Sequence, residues 1–172
     1  AYFCMRDNKR AAAEARAVLR EDPKNVQAMC NLSMILHTAH DDEGANRMAD
    51  ALLQEETEDP EELNRMALVL MDLDRFEQAY EVMQRLVRYY PYETGAVHRL
   101  GVCAYETGRY REATECYDKL LKINAGDTVA RYYRGLCRAA QTGGAPHGRK
   151  RKFLFNYQVP VDEMLARVNR LN

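Results

Sequence analysis

The chain has 172 residues, 47% of them apolar and 30% charged, which suits a folded domain with a sizeable core and excludes a disordered chain. No apolar run approaches the ~18 residues of a membrane span, and the N-terminal stretch lacks a basic region followed by an apolar one, so neither a spanning helix nor a signal peptide is expected. The net charge of -1 is unevenly spread: residues 141–172 hold six Lys/Arg against two Asp/Glu, and the acidic run "EETEDPEE" occupies 55–62.

In chain order, residues 1–25 read as the end of one helix, a turn near Asp7-Asn8 and a second helix through Leu19, closed by Pro23. The chain is therefore expected to open partway through a structural unit, as the C-terminal part of a longer array; the alternative is that this opening stretch is a short native capping helix. From there the sequence repeats. Ala11, Ala45, Ala79 and Ala113 fall 34 residues apart, as do Ser33, Ala67, Gly101 and Gly135. Large apolar residues keep the same step at Leu32, Met66 and Leu100, and at Val18, Leu52, Leu86 and Leu120.

Each unit divides into two helical stretches. In the third, Val97, Leu100, Gly101 and Ala104 recur at i, i+3, i+4 and i+7, an amphipathic helix. Gly108 can take the left-handed conformation that ends it. A second helix is expected from about Arg109 to Lys122, with Ala113, Cys116, Tyr117 and Leu120 on one face. A short link makes the two antiparallel neighbours. Their axes approach to ~8–10 Å only if the residues at the crossing are small, which explains Gly101 and Ala113. Asp59-Pro60-Glu61-Glu62 carries helix-start signals: a capping Asp, then Pro, then acids in the first turn.

The fourth unit begins with "ARYYRGLCRAAQTGG" and then loses the pattern. Arg131, Arg134 and Arg138 stand where earlier units are apolar, which suits the polar end of a stack. "TGGAPHGRKRK" reads as a loop, and its cluster 149–152 as solvated rather than as a nucleic-acid contact. "FLFNYQVP" is apolar and extended. Residues 161–171 form a short helix with Val161, Met164, Leu165, Val168 and Leu171 on one stripe. Too short to be stable alone, it is expected to dock, on its own array, on a second copy or on another protein.

These columns resemble the tetratricopeptide repeat family. The third unit fits through Leu100-Gly101, Tyr105, Gly108, Tyr110, Ala113, Tyr117 and Leu120, the second through Leu63, Ala67, Phe76, Ala79 and Pro91. The first departs from the pattern, with Asp42 at an aromatic position and Thr57 in place of the closing proline. The resemblance implies an all-α fold, a right-handed α-solenoid of antiparallel helix pairs. Its expected divisions are a partial unit 1–25, full units 26–59, 60–93 and 94–127, a half unit 128–140, a basic loop 141–152, and a C-terminal extension 153–172 ending in the docking helix.

In such an array the first helices line a concave surface. The stripe that would line it includes Cys30, Met34 and His37; Asn64, Leu68 and Met71; His98, Val102 and Tyr105; and Tyr132, Leu136 and Ala139. Met, Tyr and Leu in a groove favour a peptide with apolar anchors. Family members that grip a C-terminal carboxylate use Lys and Asn; the matching positions here are Cys30, Met34, Arg65, Gly95 and Arg99, so that subclass is not expected.

No catalytic machinery is evident. His37-x-x-His40 lacks the Glu of a zinc-protease motif, and there is no phosphate-binding glycine loop or nucleophile elbow. The five cysteines are scattered without a C-x-x-C pair, as for buried side chains in a reducing, cytoplasmic compartment. The expected function is a non-catalytic, protein- or peptide-binding scaffold without metal or cofactor. The alternatives are homodimerisation through the C-terminal helix and a regulatory role in a nucleic-acid-associated protein.

Overall fold

The computed structural model describes the backbone of residues 2–143 and the side chains of 8–143. The basic loop beyond Gly143, the extended segment and the docking helix lie outside the described residues. Eight helices follow one another: α1 Tyr2–Glu21, α2 Val26–Thr38, α3 Asp42–Leu52, α4 Pro60–Asp72, α5 Phe76–Tyr89, α6 Thr94–Glu106, α7 Tyr110–Ile123 and α8 Thr128–Gln141. There is no strand among the described residues, and the protein is an all-α helical repeat. The expected turn at Asp7-Asn8 does not occur: α1 runs through it. Asp and Asn are only mildly unfavourable in a helix, and neither Gly nor Pro stands there to break it.

The starts of α2, α4, α6 and α8 are each 34 residues apart. Between paired helices the chain reverses at one recurring backbone shape. His40, Asp74 and Gly108, again 34 apart, have φ of 62°, 60° and 78°. The next N–H, at Asp41, Arg75 and Arg109, bonds back to the carbonyl of Leu36, Leu70 and Ala104 at 2.9, 2.8 and 2.8 Å. This is a Schellman closure, which favours glycine. The first two units form it without one.

The crossing residues behave as their size demands. Ser33, Ala67 and Gly101 are buried, as are Ala45, Ala79 and Ala113. Ser33 donates its hydroxyl to the Ala45 carbonyl at 2.9 Å, pinning α2 to α3. A Cβ on Gly101 would come within 2.9 Å of Tyr117 Cζ and 3.2 Å of Cys116 Cβ. The residues at the register of Tyr117 are Ala49 and Met83. As that residue grows from Ala to Met to Tyr, its counterpart on the first helix shrinks from Ser to Ala to Gly. Gly135 continues the column on α8, but nothing described lies within 4 Å of where its Cβ would be.

One main core runs from Val26 to Cys137, and a smaller one joins Ala12, Ala15, Leu32, Leu36 and Ala45. The first junction is irregular. Helix α3 has 11 residues where α5 and α7 have 14, and the acidic link 53–59 fills the difference. Helix α5 holds that link, Arg85 donating to the Thr57 carbonyl and Tyr89 to Glu58. Asp59 then caps α4, accepting from the N–H groups of Glu61 and Glu62 at 2.8 and 3.0 Å. On α8, Arg134 and Arg138 reach Asp118 of α7 at 3.1 and 3.7 Å, and Arg131 donates to the Ala125 carbonyl.

Candidate functional site

The stripe read from the sequence separates into two depths. Cys30, Met71, His98 and Val102 are buried. They stand behind the surface and do not line it. Met34, His37, Asn64, Leu68, Tyr105, Tyr132 and Leu136 are part-exposed, and Ala139 is exposed. Met34, Tyr105, Tyr132 and Leu136 pack their inner sides on the main core while keeping an outer edge in solvent. Met34, Leu68, Val102 and Leu136 hold one position of successive first helices, 34 residues apart, so three apolar side chains recur at the surface with a buried fourth between the last two.

The burial of His98 has a specific cause. Its ring meets Tyr117 and Tyr133 edge-on, with centroids 5.4 and 5.2 Å away, while those two tyrosines stack on each other at 5.3 Å. Burial drives its pKa down to about 4, against an upward pull from Asp127; Arg99 adds a smaller downward push. His98 is thus a neutral core ring at ordinary pH. Helical spacing alone could not reveal this, because the rings that pack on it come from α7 and α8.

The polar members differ. His37 Nδ1 lies 3.0 Å from Asp42 Oδ1. Asn64 Oδ1 is buried and has no hydrogen-bond partner among the described residues. Such an atom costs stability unless something donates to it. Tyr105 tilts against Tyr110 with centroids 5.5 Å apart, and burial raises its phenol pKa.

The chemical inventory is quiet. No group of three His, Cys, Asp or Glu is placed to hold a metal among the described residues. Burial pushes the thiols of Cys30, Cys103 and Cys137 up to about 12 and that of Cys116 to about 11. No described helix is long and apolar enough to cross a membrane. Two features escaped the sequence reading: the exposure of Tyr89, Tyr90, Tyr92 and Ile123, at or just beyond the ends of α5 and α7, and a cleft between α1 and α2.

Stacked helix pairs of constant period, small residues at their crossings and a surface of first-helix side chains define a helical-repeat protein. Residues 70–137, from the last turn of α4 into α8, match the family model for the Tetratricopeptide repeat, so this stretch is built of tetratricopeptide repeats. No curated protein matches the sequence. Solved structures share the fold. YrrB, described as a tetratricopeptide repeat protein with an unusual peptide-binding site, aligns with a TM-score of 0.65 and 20% identity over 98% of this chain and 86% of its own. MamA aligns at 0.63 with 21% identity over 80% and 75%. A tetratricopeptide repeat protein from Parabacteroides merdae aligns at 0.64 with 21% identity over 80% of this chain and 55% of that one. Proteins of this fold are generally protein-interaction scaffolds.

Proposed function

We propose that the protein is a non-catalytic scaffold whose ligand is a protein or peptide segment lying along the concave face of α2, α4, α6 and α8. The carrying observation is the row of part-exposed apolar side chains Met34, Leu68 and Leu136, flanked by Tyr105 and Tyr132. A ligand with apolar anchors at matching intervals would cover them, and its backbone N–H would satisfy Asn64 Oδ1. His37 borders the row. Met71, His98 and Val102 set its depth from behind. The reading is supported by YrrB, which shares the fold and is described as having an unusual peptide-binding site.

The test is affinity capture from the native cell with the unaltered chain and with Leu68→Glu/Tyr105→Glu. Both residues are part-exposed, so the fold should survive the change. Loss of the captured partner with an unchanged circular dichroism spectrum is expected. Capture that persists undiminished rejects this face as the binding surface.

A further inference from the structure

The outer side of the first helices is graded in charge across its width. The apolar row of Met34, Leu68, Val102 and Leu136 is flanked by two further columns of the repeat. Three residues before it stand Asn31, Arg65 and Arg99; four residues after it stand Thr38, Asp72 and Glu106. Residues so spaced share one side of a helix, which sets the columns ~4.5 Å and ~6 Å to either side of the row. Together they are about as wide as one α-helix. The first edge is close to neutral, because Arg65 pairs with Glu61 at 3.0 Å and Arg99 with Glu93 at 3.7 Å. The other edge is negative. Asp72 and Glu106 are exposed and end α4 and α6, where the helix dipole adds to their charge. The chain carries a match for this surface. Residues 141–172 have a net charge of +4 and the residues before them -5. Read as a helix, 161–171 places Asp162 and Asn169 on one flank of the stripe Val161, Met164, Leu165, Val168 and Leu171, and Arg167 on the other.

We propose that residues 161–171 fold back as a helix onto the concave face of their own chain, an autoinhibitory contact that a partner must displace. The stripe covers Leu68 and its neighbours in the apolar row. Arg167 faces the Asp72–Glu106 edge, and Asp162 and Asn169 face the edge of Arg65 and Arg99. Reach is no obstacle. The 17 residues between Gly143 and Val161 can span up to ~60 Å, against ~21 Å for the whole length of α8. An isolated helix of this length does not persist in water, and the face offers it an apolar row with a lip of opposite charge. The outer side of α8 repels the same segment, since Arg131, Arg134 and Arg138 share the sign of the tail. The docking stands on this geometry alone; its regulatory consequence rests on the concave face being where a partner binds.

The chain has no tryptophan, so Met164→Trp in the full chain gives a single reporter in the tail. Its reference is a free peptide of residues 153–172 with the same substitution. The chain's emission should be blue-shifted from the peptide's and less quenched by acrylamide, at every protein concentration. Leu68→Glu should return both readings to the peptide's values with the circular dichroism unchanged; should it disturb the fold, Leu136→Glu takes its place. Leu171→Trp repeats the measurement from the end of the stripe. Emission equal to the peptide's at both reporter positions overturns the proposal. A blue shift that survives the substitution on the face puts the tail elsewhere and overturns it too, as does one lost on dilution, which marks a second copy as the occupant. Because the purified chain is read without a partner, failure here leaves the capture experiment standing, and capture that persists in Leu68→Glu/Tyr105→Glu rejects the partner reading without touching the tail's emission.

Discussion

Gly101 and Gly135 share one column of the repeat and should respond oppositely to the same substitution. In mid-helix, Gly→Ala removes a backbone-entropy penalty of about 0.5–1 kcal/mol. At Gly135 nothing described opposes the new methyl, so Gly135→Ala should gain roughly that much. At Gly101 the methyl would lie 2.9 Å from Tyr117 Cζ and 3.0 Å from its Cε2. Tyr117 is fully buried and held by its stack on Tyr133 and its edge contact with His98, so it has nowhere to turn. Helices α6 and α7 must part, at about 1–3 kcal/mol. Gly101→Ala should therefore lose up to about 2 kcal/mol net, leaving the two variants about 1–3 kcal/mol apart. Adding Tyr117→Met recreates the Ala67–Met83 pairing of the second unit and should recover part of the loss beyond what Tyr117→Met does alone. Urea unfolding followed by circular dichroism reads all three. A Gly101→Ala chain as stable as the original, or a Gly135→Ala chain less stable, would refute the crossing-point reasoning.

Other consequences follow from buried and turn residues. The folded state holds His98 neutral down to about pH 4, while the unfolded chain takes up that proton near 6.5, so the unfolded state binds more protons between these values. Stability should fall as pH drops through that window, by on the order of 2–3 kcal/mol from this residue; His98→Phe should flatten the fall in urea midpoints between pH 7 and 4.5, and an equal fall in both chains would contradict the assignment. Cys30, Cys103, Cys116 and Cys137 should stay silent to a thiol reagent at pH 8 until urea unfolds the protein; rapid modification of any of them would show its burial to be wrong. His40→Gly should raise the urea midpoint by the equivalent of about 0.5–1 kcal/mol, because His40 stands at φ 62°; a lowered midpoint would mean that the imidazole contributes more than the backbone costs.

The fold was legible because a repeat states the same physics several times. A single Ala113 is only a good helix former, but four alanines at a fixed step mark a crossing that each unit must satisfy. The link after α3 was less legible: nothing in "LQEETED" says that the helix stops early, and Arg85 and Tyr89, which help to hold the segment that replaces it, stand a full unit later. The same limit governed the proposed binding face. Which side of a first helix faces outward follows from its own period, but how deep each residue lies depends on the next unit's side chains. His98 and Tyr132 hold equivalent positions on α6 and α8, yet Tyr133 and Tyr117 enclose His98 while Tyr132 keeps an edge in solvent. Val18 presents the reverse case. Its column marks it as core, and it is exposed because no described helix seals α1 as α2, α4 and α6 seal their partners. A repeat column thus gives the geometry of a position and leaves its burial to the neighbour. Among the described residues the two disagree at Val18 and Gly135, which keep the column's geometry without the neighbour that buries it elsewhere.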